Sequence, residues 1–136
     1  MRPALRVSAV LLGAAVAFAG VTLYALEGRE VVVVHTQASD GSRRDTRTWI
    51  ADDGAGPLIE AAFAERPFLQ DLLVNPDIEV VRDGGVRRYR ATPLPNPDGH
   101  ARIRALLAEK YGWADRWVGL LQDTSRSVAV RLEPVG

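Results

Sequence analysis

From Val7 to Leu26 the chain runs for twenty residues without a charged side chain (VSAVLLGAAVAFAGVTLYAL). An α-helix rises about 1.5 Å per residue, so a run of this length matches a bilayer hydrocarbon core of about 30 Å. Gly13, Gly20 and Thr22 are tolerated in such a helix, and Tyr24 near its end suits the headgroup region. The first expectation is therefore a single-pass N-terminal anchor through residues 7–26, in a bacterial plasma membrane. Arg2 and Arg6 precede the run, and every acidic residue lies at or beyond Glu27. That asymmetry favours a cytoplasmic N-terminus, with Arg29 just beyond the run as a counterweight. Two alternatives stay open. The basic start, the apolar run and Ala17-Phe18-Ala19 before Gly20 also have the order of a cleaved signal peptide, and the helix could instead pack on the domain or lie in the interface.

Residues 27–136 have the length of one compact domain. The chain carries 17 Lys+Arg against 17 Asp+Glu, and without Arg2 and Arg6 this becomes 15 against 17. There is no basic surplus for nucleic acid to pair with, and no nucleic-acid partner is expected. The absence of cysteine excludes a disulfide framework, a thiolate metal site, a cysteine nucleophile and a lipoprotein anchor. His35 and His100 are the only histidines and lie in no metal-binding spacing, so no metal is expected. No GxSxG, Walker or GxGxxG pattern is present.

Hydrophobic patterning predicts eight elements. Glu30–Thr36 is a β-branched run of buried-strand type, and Ser39-Asp40-Gly41-Ser42 turns it into the alternating strand 43–51. Pro57–Phe63 reads as a third strand, and 66–74 as a short helix burying Phe68, Leu69, Leu72 and Leu73 until Asn75-Pro76 ends it. Strands 78–82 and 86–92 flank Asp83-Gly84-Gly85, a strong hairpin signal. Asp98 is placed as the N-cap of a helix carrying Ile103, Leu106, Leu107 and Tyr111; Gly112 kinks or ends it, and Trp113–Gln122 continues at the same period. Residues 127–132 make the last strand. The order β-β-β-α-β-β-α-β predicts an α+β fold, a small antiparallel barrel of about six strands with an inserted helix and a C-terminal helical segment.

Four groups of residues could carry chemistry. Arg43, Arg44 and Arg47 follow a polar turn, where guanidinium groups and backbone N–H groups can bind phosphate; the competing reading is a solvated arginine face. Arg87, Arg88 and Arg90 face the same choice. Trp49, Trp113 and Trp117 could stack on a planar ring or simply fill the core. The Tyr111 phenol could donate a proton or be buried against a structural partner.

From Glu30 to Pro134 the order of elements and several motifs resemble the deazaflavin-dependent nitroreductase family, a branch of the flavin-reductase-like split β-barrels related to pyridoxamine-phosphate oxidases. The strand ending in His35-Thr36, Asp40-Gly41-Ser42-Arg43-Arg44 as a phosphate-loop pattern, Asp71-Leu72-Leu73-Val74-Asn75-Pro76, and Asp123-Thr124-Ser125-Arg126-Ser127 before the last strand carry the likeness. Against the family pattern, Ser39 replaces the loop lysine, Arg47 replaces a proline, Phe68-Leu69 replaces Trp-Tyr, and Ala62-Phe63-Ala64-Glu65 replaces a Ser-x-Gly-Gly turn. The resemblance implies a membrane-attached oxidoreductase that passes hydride from a reduced deazaflavin, or from a flavin such as FMN, to a quinone-like or nitroaromatic acceptor. Arg43 and Arg44 would bind phosphate, Thr46 and Trp49 would line the ring pocket, and Tyr111 would donate a proton. The departures leave a second expectation open: a non-catalytic barrel without cofactor, binding a small apolar ligand or a protein partner at the membrane. Deazaflavin reduction belongs in the cytoplasm while the flanking arginines favour an outward domain, so the side of the membrane stays open.

Overall fold

The computed structural model describes residues 3–136; Arg2, which enters the orientation argument, lies outside the described residues. The elements in chain order are α1 (Pro3–Glu27), β1 (Val31–Gln37), β2 (Arg43–Asp53), β3 (Gly56–Ala61), α2 (Pro67–Val74), β4 (Asp77–Arg82), β5 (Gly85–Pro93), α3 (Asp98–Tyr111), α4 (Trp113–Leu121) and β6 (Val128–Pro134). All eight elements expected of the domain are present, and the fold class is the expected one. The six strands close into an antiparallel barrel in the order β1-β2-β3-β6-β5-β4.

Strand alternation sorts the side chains into two cores. Val32, Val34, Ile50, Ile59, Ile78, Val80, Val130 and Leu132 fill the barrel, and α2 caps one end with Phe68, Leu69 and Leu72. The opposite faces of β2, β3 and β6 present Ala51, Leu58 and Ala129 to Ile103, Leu107 and Tyr111 of α3 and Ala114 of α4, with Ala25 of α1 in the same cluster. Apolar period 2 in the strands and period 3.6 in α3 thus meet along one seam.

Two turns show why the elements stop where they do. At the β4–β5 hairpin Asp83 and Gly84 both take positive φ (52° and 76°), as the right-handed strand twist requires of a two-residue loop. Gly112 at φ 56° ends α3 and starts α4 in a new direction, which resolves the kink-or-end alternative as an end. Pro97, not Asp98, occupies the N-cap position of α3. Proline has no side-chain acceptor, and the Asn96 Oδ1 takes over by accepting the His100 N–H at 3.0 Å.

The barrel is closed but split. β2 pairs with β1 from Arg43 to Trp49 and with β3 only from Ile50 to Asp53. Beyond Ile59, β3 leaves β2 and follows β6, with Glu60 opposite Ala129 and Ala61 opposite Val128. One edge of β2 therefore lies open along about 20 Å, at about 3.4 Å per residue.

α1 is long and apolar enough to cross a membrane, and most of its surface is exposed. Its last turns are docked on the domain. Phe18 packs on Trp117 with ring centres 5.6 Å apart, Tyr24 stacks on Trp113 at 5.9 Å, and the Trp117 Nε1–H donates to Thr22 Oγ1 at 3.1 Å. The Trp49 Nε1–H donates to the Leu26 carbonyl at 3.1 Å, and Arg47 forms an ion pair with Glu27.

Candidate functional site

The split between β2 and β3 opens onto a cavity of about 340 Å³. Thr48 and Trp49 of β2, Phe63 and Arg66 of the loop before α2, and Val118 of α4 are among its walls. Leu26 and Glu27, the end of the apolar helix, complete one side.

Its charges are mostly paired. Arg104 on α3 reaches Glu60 at 3.0 Å and Asp115 at 2.5 Å, and Arg47 is held by Glu27. Burial works against the Arg104 charge, but the two carboxylates outweigh it and raise its pKa above the ordinary arginine value. The guanidinium of Arg66 has no carboxylate partner among the described residues; it lies over the Phe63 ring, 6.0 Å from its centre. Arg66 is thus the cavity's one arginine without a carboxylate partner among the described residues, beside an aromatic face, while the lining as a whole balances three arginines against three carboxylates.

The residues expected from the sequence fall at different places along the split. Trp49 lines the cavity, and its ring is stacked on Tyr111, with centres 4.2 Å apart and planes within 10°. Thr46 sits opposite Val34 on the barrel-facing side of β2 and borders no cavity among those described. Arg44, two residues further along the same face, is anchored by its Nε on Asp71 Oδ2 at 2.7 Å. Asp71 is buried on α2 and also accepts the Thr36 hydroxyl at 2.8 Å. This leaves both terminal nitrogens of Arg44 without a partner among the described residues. The arginine is held in place with its donors free, the condition for bidentate anion binding. Arg43 points elsewhere: it pairs with Asp45 and borders a second, open depression with His35, Gln37, Asn75 and Arg88. Arg43 and Trp49 share the outer face of β2, but they lie six residues, about 20 Å, apart and border different cavities, while Arg44 faces the opposite side of the strand.

The Tyr111 hydroxyl is fully buried. It donates to the Glu30 carbonyl at 2.6 Å and accepts the Ile50 N–H at 3.2 Å, clamping β1 to β2. Burial pushes its pKa up to about 12. In this position the hydroxyl serves the backbone, and Tyr111 lines none of the cavities described. His35 is likewise engaged, its Nδ1 lying 2.7 Å from Asp45 Oδ1.

The sequence alone did not single out Arg66, Arg104, Glu60 or Asp115, nor the contribution of Leu26 and Glu27. Their pairing spans up to 44 residues in the chain, as between Glu60 and Arg104, and no local motif encodes it. The one available signal was Arg66-Pro67 at a helix start, where a basic residue is out of keeping with the helix dipole.

No family model and no curated protein matches this chain. Solved structures do. The heme storage protein HutZ from Vibrio cholerae superposes with a TM-score of 0.62 at 13% identity, over 82% of this chain and 86% of that one. A putative pyridoxamine 5'-phosphate oxidase from Listeria innocua gives 0.59 at 17% identity over 84% and 90%. A putative 5-nitroimidazole antibiotic resistance protein from Bacteroides thetaiotaomicron gives 0.61 at 7% identity over 79% and 74%. At these identities the likeness establishes a shared fold, the split β-barrel.

Proposed function

We propose that this chain is a membrane-attached split-barrel oxidoreductase that holds a deazaflavin, or else FMN, along the open edge of β2 and reduces a quinone-like or nitroaromatic acceptor. One observation carries the reading: the unpaired edge of β2 leads from Arg44, with its terminal nitrogens free, to the cavity walled by Trp49. A planar ring with an anionic tail has its two halves answered at the two ends of that edge. The Listeria neighbour, a putative pyridoxamine 5'-phosphate oxidase, and the Bacteroides neighbour, a putative 5-nitroimidazole resistance protein, share this fold and support the reading.

When bound, such a cofactor supplies the hydride chemistry. The protein's own residues do the rest. Arg44, oriented by Asp71, holds the tail; Trp49 offers an aromatic wall; Arg66 places a positive charge where an acceptor gains negative charge on reduction. α1, α4 and Phe63 wall the cavity. With the Tyr111 hydroxyl committed to the backbone, the proton that completes reduction comes from solvent or from a group other than Tyr111.

A second reading rests on the pairing of Arg47 and Arg104 with Glu27, Glu60 and Asp115, which leaves the cavity nearly neutral. A non-catalytic module binding an apolar ligand would need no more. Titration of the full-length protein in detergent micelles with the deazaflavin cofactor and with FMN, following quenching of cofactor fluorescence, separates the two. Saturable binding that is lost in Arg44→Ala supports the oxidoreductase; absence of binding by the folded protein leaves the apolar-ligand module.

A further inference from the structure

We propose that the C-terminal end of α4 is a second membrane-contacting surface, with Leu120 and Leu121 set into the boundary between headgroups and acyl chains beside α1. The inference rests on the reading of α1 as a membrane anchor, and it concerns how the domain sits on that membrane.

The two helices run antiparallel. Phe18 meets Trp117, while Tyr24, six residues later in α1, meets Trp113, four residues earlier in α4. Following α4 past Trp117 therefore leads toward the N-terminal, undocked half of α1. There stand Leu120 and Leu121, 82% and 47% exposed, alongside a shaft whose own Leu11, Leu12 and Val16 are equally uncovered. Apolar surface on α4 thus continues that of the anchor.

Length supplies the second argument. The uncharged part of α1 N-terminal to its contacts with α4, Val7–Ala17, is about 16 Å long. A hydrocarbon core of about 30 Å is nearly twice that. The docked turns cannot enter the bilayer without taking α4 with them, because Thr22, Tyr24 and Phe18 are held to Trp117 and Trp113 and Leu26 to Trp49. The last turn of α4, from Trp117 to Leu121, runs back about 6 Å along the undocked part of α1, so it is the first part of the domain to enter. Embedding an apolar face by about 5–10 Å is also the usual depth of an interfacial helix. Arg116, Gln122 and Asp123 are exposed beside this turn and supply the polar groups that such a helix keeps among headgroups. The cavity shares Val118 and Gln122 with this end of α4.

The chain has no cysteine, which makes single labels straightforward. Leu120→Cys, Gly13→Cys and Val86→Cys, each carrying the same environment-sensitive fluorophore, are reconstituted as full-length protein in phosphatidylcholine vesicles. Quenching by an acyl-chain nitroxide lipid and by aqueous iodide is then compared. Gly13 reports on the anchor, and Val86, exposed near the start of β5, reports on the far side of the barrel. The expected result is lipid quenching at position 120 within about twofold of that at position 13, and iodide quenching well below that at position 86. If position 13 is lipid-quenched while position 120 behaves like position 86, the α4 surface is not in the bilayer, and the proposal fails with the anchor intact. If position 13 is itself open to iodide, the anchor reading fails and this proposal with it.

Discussion

Replacing Tyr111 by Phe separates a structural hydroxyl from a chemical one. The ring is fully buried and stacks on Trp49 at 4.2 Å, and Phe keeps both features. What disappears is one oxygen that donates to the Glu30 carbonyl and accepts the Ile50 N–H. Ile50 is buried where β2 passes from its β1 partners to its β3 partners, so its N–H has no route to water. An orphaned buried donor costs about 1–3 kcal/mol, and taking about 2 kcal/mol as the centre gives a fall in Tm of about 8 °C for a domain of this size. Because the folded-state pKa of about 12 keeps the phenol protonated, the loss should be constant from pH 5 to 9. Thermal unfolding of full-length protein in micelles, followed by near-ultraviolet circular dichroism, measures it, with turnover of a quinone acceptor assayed in parallel below the transition. An unchanged Tm together with a large loss of turnover would refute the assignment and return Tyr111 to the role of proton donor.

Other expectations follow from individual contacts. Arg66→Gln removes the cavity's one arginine without a carboxylate partner and should weaken an anionic ligand about tenfold in a binding titration, with stability unchanged because the guanidinium has no ion pair to lose. The Asp53 carboxyl is held well below its ordinary pKa, chiefly by a hydrogen bond from Arg131. Its stabilising contribution is therefore complete above the unfolded value near 4 and is lost as pH falls through the lower folded value; Asp53→Asn should flatten the acid limb of a stability–pH curve. Trp117→Phe keeps an aromatic ring against Phe18 but loses the bond to Thr22, and amide exchange in the last two turns of α1 should quicken about fivefold.

The barrel was legible where local patterning sufficed. The β-branched run at Val31–Val34, the turns at Asp40-Gly41 and Asp83-Gly84, and the alternation in β6 each specify an element within a few residues. The β2–β3 split came only with the family resemblance, because no local pattern shows β3 parting from β2 beyond Ile59 while it stays paired with β6, some seventy positions away in the chain. The site was legible in part. Arg44 and Trp49 stand out by position and type, but the device that orients Arg44 is a carboxylate 27 residues away on α2. Tyr111 drew attention as a phenol, and only its burial against Glu30 and Ile50 assigns the hydroxyl to the backbone. A boundary after Leu26 divides the chain by hydropathy, yet Leu26 and Glu27 form one wall of the cavity, since packing joins what composition separates.

The position of β6 between β3 and β5 also bears on how the chain is made. β6 follows every other strand in the sequence, so the cylinder stays open until the last of them has left the ribosome. By then α1 has long emerged and can already be in the bilayer, while β3 and β5 wait with unpaired edges of the kind that invite association with other chains. Tethering at a membrane surface crowds neighbouring nascent copies together, and closure by a late strand is the step on which their separation depends. Truncation before Val128 should accordingly yield aggregates rather than a smaller folded domain.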